Sequence, residues 1–225
     1  MTRFFLTALI LLYSSVMHAV NYNRIEAIKK TDDHSISHIY QTQDNAIWIS
    51  SSSGTLRYDG KNAQNMRLEI PGWKLELECG ERRYIWSIST NSIQMIDALT
   101  LEASKIIPHE INFRGCKTMA RGDSLFIGLN EHIWCCNNDS LYLHSTMPSN
   151  ESVSSMINTS DRRFLISTTT GKVYENDCNG RCKEVLNCGA HIRKLYEDSK
   201  GRLWMGLMQG GVVMVEKDFS EQTRP

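Results

Sequence analysis

The chain repeats itself about every 39 residues, and that period constrains its fold more than any motif does. Three segments align without gaps: Ile47-Trp-Ile-Ser-Ser-Ser-Ser-Gly54-Thr-Leu56-Arg-Tyr58, Phe164-Leu-Ile-Ser-Thr-Thr-Thr-Gly171-Lys-Val173-Tyr-Glu175 and Leu203-Trp-Met-Gly-Leu-Met-Gln-Gly210-Gly-Val212-Val-Met214. They are offset by 117 and then by 39 residues, so the first interval is three times the second. Two weaker copies lie between them, Tyr84-Ile-Trp86-Ser-Ile88 leading to Ile93, and Leu125-Phe126-Ile127-Gly128-Leu129 leading to Ile133. The anchor positions 48, 86, 126, 165 and 204 are therefore 38 to 40 residues apart. The upstream halves agree too: Ile36, Ile39 and Tyr40 correspond to Val153, Met156 and Ile157, and to Ile192, Leu195 and Tyr196.

Each copy reads as strand, polar turn, strand, glycine turn, strand. The runs between turns are rich in Ile, Val, Trp, Tyr and Thr, the residues that suit a pleated surface. Gln43-Asp44-Asn45, Ser160-Asp161-Arg162 and Asp198-Ser199-Lys200-Gly201 are the first turns. Gly54, Gly171 and Gly210 stand where the chain must reverse, and glycine takes a positive φ at little cost. A unit of this size with three or four short strands is a β-propeller blade: a small twisted sheet, apolar on both faces, that must be sandwiched by neighbours. That requirement accounts for near-continuous apolar strands such as Leu203–Met205 and Val212–Val215. A β-sandwich of irregular hairpins is the competing fold, but its strands have no reason to keep a common register. The expected fold is an all-β propeller of about five four-stranded blades, at roughly 33–70, 71–108, 109–147, 148–187 and 188–225. The fourth strand of the last copy would fall at the chain end. Either Asn23–Ile28 supplies it and closes the ring, or the chain is an incomplete ring.

Composition narrows the function classes. Lys and Arg number 25 and Asp and Glu also 25, so the chain lacks the basic excess that nucleic-acid binding needs. Met1–Ala19 has a short positive start at Arg3, an apolar run from Phe4 to Tyr13 and small residues near a cut, the layout of a secretory signal peptide. The rest of the chain, 20–225, has no run of ~20 apolar residues, so no membrane span is expected in the exported part.

The repeat resembles that of the two-component regulator propeller family, with the pattern I-x-x-I-x-x-D-x-x-G-x-[IL]-W-[IV]-[GS]-[ST]-x-x-G-[IL]-x-x-[YF]-[DN]. The first copy carries it in Ile39, Asp44-Asn45, Ile47-Trp48-Ile49-Ser50, Gly54, Leu56 and Tyr58-Asp59-Gly60. The last carries it in Ile192, Leu195, Asp198, Gly201, Leu203-Trp204-Met205-Gly206 and Gly210-Gly211-Val212. Copies two and three lack the turn glycine. The resemblance implies a periplasmic sensor of a Gram-negative bacterium, whose ligands are commonly breakdown products of polysaccharides. In that family the propellers precede a further β-domain, a membrane helix and a histidine kinase. This chain has about five blades where such rings usually have seven, and no kinase.

The sequence shows no catalytic motif, and His34, His38, His109, His132, His144 and His191 follow no regular spacing. No catalytic residue, no cofactor and no metal site is assigned. Seven cysteines are many for an exported chain of this length, and export permits disulfides. Asn179-Gly180 is a hairpin turn that would set Cys178 and Cys182 face to face, so a Cys178–Cys182 bridge is expected. Cys178, Cys182, Cys188 and His191 match no common zinc spacing. Cys135 and Cys136 are adjacent on a strand and must point to opposite faces; Cys79 and Cys116 read as small buried apolar groups. Trp48, Trp86 and Trp204 fall on repeat positions and read as packing residues. Trp73 follows Pro71-Gly72 between blades, where an exposed ring can stack on a sugar; Arg57 and Arg114 are weaker candidates. The expected function is therefore a periplasmic propeller that is not an enzyme and binds an oligosaccharide ligand or another propeller chain. A propeller-fold lyase or glycan hydrolase, and a non-functional gene fragment, are the alternatives.

Overall fold

The computed structural model describes residues 36–51, 54–66, 74–80, 83–104, 106–137, 140–177, 179–219 and 222–223. The signal-peptide segment, Asn23–Ile28, Trp73 and Cys178 lie outside the described residues. Among the described residues every element is a strand, and five four-stranded antiparallel sheets form a five-bladed β-propeller. Blade one is β1 (Ile36–Gln41), β2 (Ile47–Ser51), β3 (Gly54–Tyr58) and β4 (Ala63–Met66). Blade two is β5 (Lys74–Gly80), β6 (Tyr84–Ser89), β7 (Ser92–Asp97) and β8 (Ile107–Pro108). Blade three is β9 (Lys117–Arg121), β10 (Ser124–Leu129), β11 (His132–Cys136) and β12 (Leu141–Thr146). Blade four is β13 (Val153–Asn158), β14 (Phe164–Thr168), β15 (Lys172–Asn176) and β16 (Cys182–Asn187). Blade five is β17 (Ile192–Glu197), β18 (Leu203–Leu207), β19 (Val212–Val215) and β20 (Gln222–Thr223). Within each sheet, consecutive strands are hydrogen-bonded neighbours, so every blade is a simple meander.

The repeat seen in the sequence is a repeat in backbone geometry. The first strands of blades one, two, four and five each shift register at one equivalent point: Ile36/His38, Lys74/Glu76, Val153/Ser155 and Ile192/Lys194. The first turns agree as well. Asn45, Arg162 and Gly201 occupy one repeat position and all take positive φ, at 61°, 68° and 78°. In those three turns an amide bonds back to the residue three before it, Asn45 to Thr42, Arg162 to Thr159 and Gly201 to Asp198. The second turns hold Gly54, Gly171 and Gly210 at φ of 141°, 96° and 97°. Blade three, which has no glycine there, uses Asn130 at φ 52°, since asparagine tolerates this region better than most residues.

The core lies between blades, not within them. Trp48 packs with Ile85 and Ile96 of blade two; Trp86 packs with Leu125, Ile127 and Phe113 towards blade three. Phe126 packs with Met156, Phe164 and Ile166 of blade four; Leu165 packs with Leu195, Leu203 and Met205 of blade five. A repeat anchor thus points from each blade into the next, and four seams carry an apolar cluster. Cys135 belongs to the seam of blades three and four, and Cys136 to the seam of blades two and three, so the adjacent thiols do point to opposite faces. Burial pushes the Cys136 thiol up to about 12. Cys116 is buried with the same cluster as Cys136, and Cys79 is half-buried against the cluster of blades one and two.

Polar bonds tie the first strands to one another. Thr118 donates from its hydroxyl to Glu78 Oε2 at 2.6 Å, joining β9 to β5, and the Leu195 amide donates to Ser155 Oγ at 3.1 Å, joining β17 to β13. No helix among the described residues is long and apolar enough to cross a membrane.

Candidate functional site

A cleft of about 590 Å³ opens between blades three and four, within the range that small-ligand sites occupy. Two nearly buried phenylalanines stand behind its wall, at 8% and 2% exposed, while Tyr142, 45% exposed, is the aromatic ring it offers to solvent. Phe126 comes from β10 and Phe164 from β14, with ring centres 4.9 Å apart and planes at 61°, an edge-to-face pair. Each belongs to the apolar repeat, so the wall is a by-product of ordinary seam packing.

His144 of β12 stands beside it, 5.2 Å from the Phe126 ring. Its Nε2 lies 3.0 Å from Asn176 Oδ1. Asn176 is buried, and its Nδ2 donates to Ser145 Oγ and to Cys182 Sγ, both at 3.2 Å. With the amide placed so, Oδ1 can only accept, and His144 Nε2 is the donor of that bond. Nδ1 is the nitrogen left over. Cys135 and Tyr142 face each other across β11 and β12, and the phenol is held above its ordinary range, first by its hydrogen bond with the Cys135 thiol.

Charge gathers at the rim. Arg121 ends β9, Arg162 sits in the first turn of blade four, and Asp177 begins the loop after β15. Arg121 Nη2 donates to the Arg162 carbonyl at 3.2 Å, so one blade holds the other's turn in place. Asp177 Oδ1 accepts from the amides of Asn179 and Arg181. Among the described residues no carboxylate forms an ion pair with Arg121 or Arg162. The arrangement gathers two guanidiniums, an imidazole, a phenol and a carboxylate around one cleft.

A second hollow, of about 490 Å³, lies by the connection from blade three to blade four and includes Glu151. That carboxylate is already engaged by Lys172 at 3.1 Å, by the Tyr174 hydroxyl at 3.4 Å and by Thr170. Burial raises its pKa, but these bonds outweigh burial and hold it low.

The residues singled out from sequence fall elsewhere. Trp73 lies outside the described residues. Arg57 is spent on Asp44, whose other oxygen accepts from Thr42 and the Ala46 amide. Arg114 donates its amide to Asn112 in an exposed turn. Cys182 pairs in register with Asn176, and the loop between them runs from Asp177 to Arg181. The Asn-Gly pair is therefore not a two-residue hairpin, and the expected Cys178–Cys182 bridge involves a residue outside the described ones. Burial pushes the Cys182 thiol above its ordinary range. None of Arg121, His144 and Arg162 was marked by spacing as a site residue. One signal was there: Arg162 occupies the place where Gly201 stands in the last copy.

The family of two component regulator propellers matches residues 187–209. Those residues are a two component regulator propeller repeat. They span the turn into blade five and its first two strands, where the sequence pattern is fullest. Among solved structures, the chain is similar to the extracellular domain of BT4673 from B. thetaiotaomicron, described as a hybrid two component system. The TM-score is 0.65 at 17% identity, over 86% of this chain and 28% of that one. It is similar to the virginiamycin B lyase of Staphylococcus aureus, with TM-score 0.65 at 14% identity, over 87% of this chain and 71% of that one. It is also similar to YCF48 from Cyanidioschyzon merolae, with TM-score 0.63 at 11% identity, over 85% of this chain and 72% of that one. At these identities the shared property is the propeller fold, and the chain spans about a quarter of the two component relative. No curated protein matches it in sequence.

Proposed function

We propose that the chain is a ligand-binding propeller of a periplasmic sensory system, without enzymatic activity of its own. One observation carries the reading: a chain whose fifth blade matches the two component regulator propeller repeat has, between blades three and four, a cleft of about 590 Å³ lined by polar and aromatic side chains. The extracellular placement named for BT4673 supports a role outside the cytoplasm, and the layout of Met1–Ala19 points the same way. Oligosaccharides are the expected ligand class. Rings stack on aromatic faces, and hydroxyls take up carboxylate, imidazole and guanidinium partners such as Asp177, His144 and Arg121.

The test is thermal melting of the chain against a panel of oligosaccharides, because a ligand that binds only the folded state raises the midpoint. An upward shift with one glycan class, reduced in a Tyr142→Ser variant, is the expected result. Flat midpoints across the panel at millimolar concentration would remove the reading. A second propeller chain as partner would show instead as co-elution of two chains with the cleft still open to labelling.

A further inference from the structure

We infer that the cleft between blades three and four selects acidic ligands, a carboxylate borne on a ring, and that Arg162 is the residue that sets this preference. The inference rests on the ligand-binding reading of the same cleft and names its chemistry.

Arg162 stands in a place that the backbone reserves for glycine. Its φ is 68°, and the equivalent residues are Asn45 at 61° and Gly201 at 78°. Glycine takes this left-handed conformation freely and asparagine tolerates it; an arginine there is strained by its Cβ. Such a conformation persists where the surrounding turn over-determines it, as it also does at Leu101 and Phe219, at φ 62° and 63°, so what distinguishes Arg162 is where its side chain lies. The fold makes no use of the Arg162 guanidinium. Its amide donates to the Thr159 carbonyl and its carbonyl accepts from Arg121, both backbone services that glycine would perform equally well. Its side chain has no carboxylate partner among the described residues and lines the cleft.

The neighbours fit the same reading. Arg121 uses Nη2 on the Arg162 carbonyl, which anchors its fork and leaves its other N–H groups for the cleft it lines. His144 has given its Nε2 hydrogen to Asn176. Two guanidiniums at the rim suit a carboxylate, which a planar fork binds with charge-assisted hydrogen bonds. The exposed Tyr142 ring at the same cleft suits an apolar ring face. Among the described residues Asp177 is the one acid lining the cleft; its Oδ1 is occupied by two amides, which leaves its other oxygen for a ligand hydroxyl. The shared chemistry is a ring acid, and its source is either a sugar acid or an aromatic acid.

Isothermal titration of the full chain tests this with three probes: trigalacturonate, its methyl ester as the uncharged counterpart, and benzoate. The acid is expected to bind at least about tenfold more tightly than the ester, the size of one or two charge-assisted hydrogen bonds. Arg162→Gly is expected to lose that preference while melting about 2–4 °C higher, because the strained position is relieved. Arg121→Gln should weaken the acid without any gain in melting temperature. Equal affinity for acid and ester in the parent chain overturns the acidic preference and leaves glycan binding standing. Unchanged acid affinity in Arg162→Gly overturns the role of Arg162. Binding of benzoate but of neither sugar keeps the acid cleft and removes the glycan reading. No binding of any probe at millimolar concentration removes both.

Discussion

Trp86 and Trp204 hold one position in the repeat and live in different surroundings. Trp86 is 1% exposed, sealed between blades two and three, and its indole N–H finds no partner. Trp204 is partly buried on blade five, where its N–H donates to Asp198 at 2.9 Å and Arg202 lies over its ring at 5.5 Å. The residues opposite them in register differ likewise. Glu78 faces Trp86 and is largely desolvated, while Tyr196 faces Trp204 and is 62% exposed. Val212 and Met208 are exposed on blade five, and Ile36 and Ile39 on β1, whereas the four built seams are closed. The repeat writes both faces of every blade into the sequence, but what a face contributes is decided by its neighbour.

The sharpest test of that contrast is a pair of truncations followed by urea denaturation. Trp86→Ala should cost about 3–5 kcal/mol, the usual loss for a large buried aromatic. Trp204→Ala should cost less, about 1–2 kcal/mol, because the ring is only partly buried and lies outside the apolar clusters of the seams. Equal costs would show that blade five's far face is covered in solution.

The turn glycines repeat the contrast on the backbone. Gly171 and Gly210 are equivalent, at φ 96° and 97°. A Cβ on Gly171 would meet the Ala190 backbone at 2.5 Å, whereas one on Gly210 finds nothing nearer than the Leu207 side chain at 3.9 Å. Gly210→Ala should therefore lose only the conformational cost, about 1 kcal/mol. Gly171→Ala should lose roughly 3 kcal/mol or more, since backbone must move. Melting curves of the two variants, measured side by side, check the ordering.

Smaller effects come from the carboxylates. Burial raises the Glu78 pKa despite the bonds from Thr118 and Cys79. The folded state then holds a proton more tightly than the unfolded one, so Glu78 lowers stability as pH rises through the ordinary glutamate range. Glu78→Gln should stabilise the chain at pH 7 by on the order of 1 kcal/mol and flatten that part of the pH profile. Asp198 behaves oppositely. Arg202 and the Trp204 indole hold it well below the usual carboxylate range, so its contribution is present at neutral pH and lost as pH falls. Asp198→Asn should therefore lose part of the acid dependence of the urea midpoint between pH 6 and pH 3.

How much of this was legible beforehand divides along the same line. Blade identity was readable because each blade is a local meander whose turns and anchors recur at a fixed interval. The family pattern even explains itself in blade five, where the Asp198 of its D-x-x-G turn receives the Trp204 N–H. Blades one and two place Thr42 and Gly80 there, and their tryptophans are left without that acceptor. The cleft was not readable, because Phe126 and His144 come from one repeat and Arg162 and Phe164 from the next. No interval within one copy brings such residues together. The Asn-Gly signal misled only on the length of the turn, for a local reason: Asp177 caps the amides of Asn179 and Arg181 and lengthens the loop.

The Cys135-Cys136 dipeptide gives the molecule a built-in pair of reporters. Because neighbouring thiols on one strand look into different seams, a thiol reagent that waits for each to be uncovered times two separate openings from a single stretch of backbone. Blade three is thus a partition whose two sides can be clocked independently, and any ligand lodged beside Cys135 should slow one clock and leave the other running.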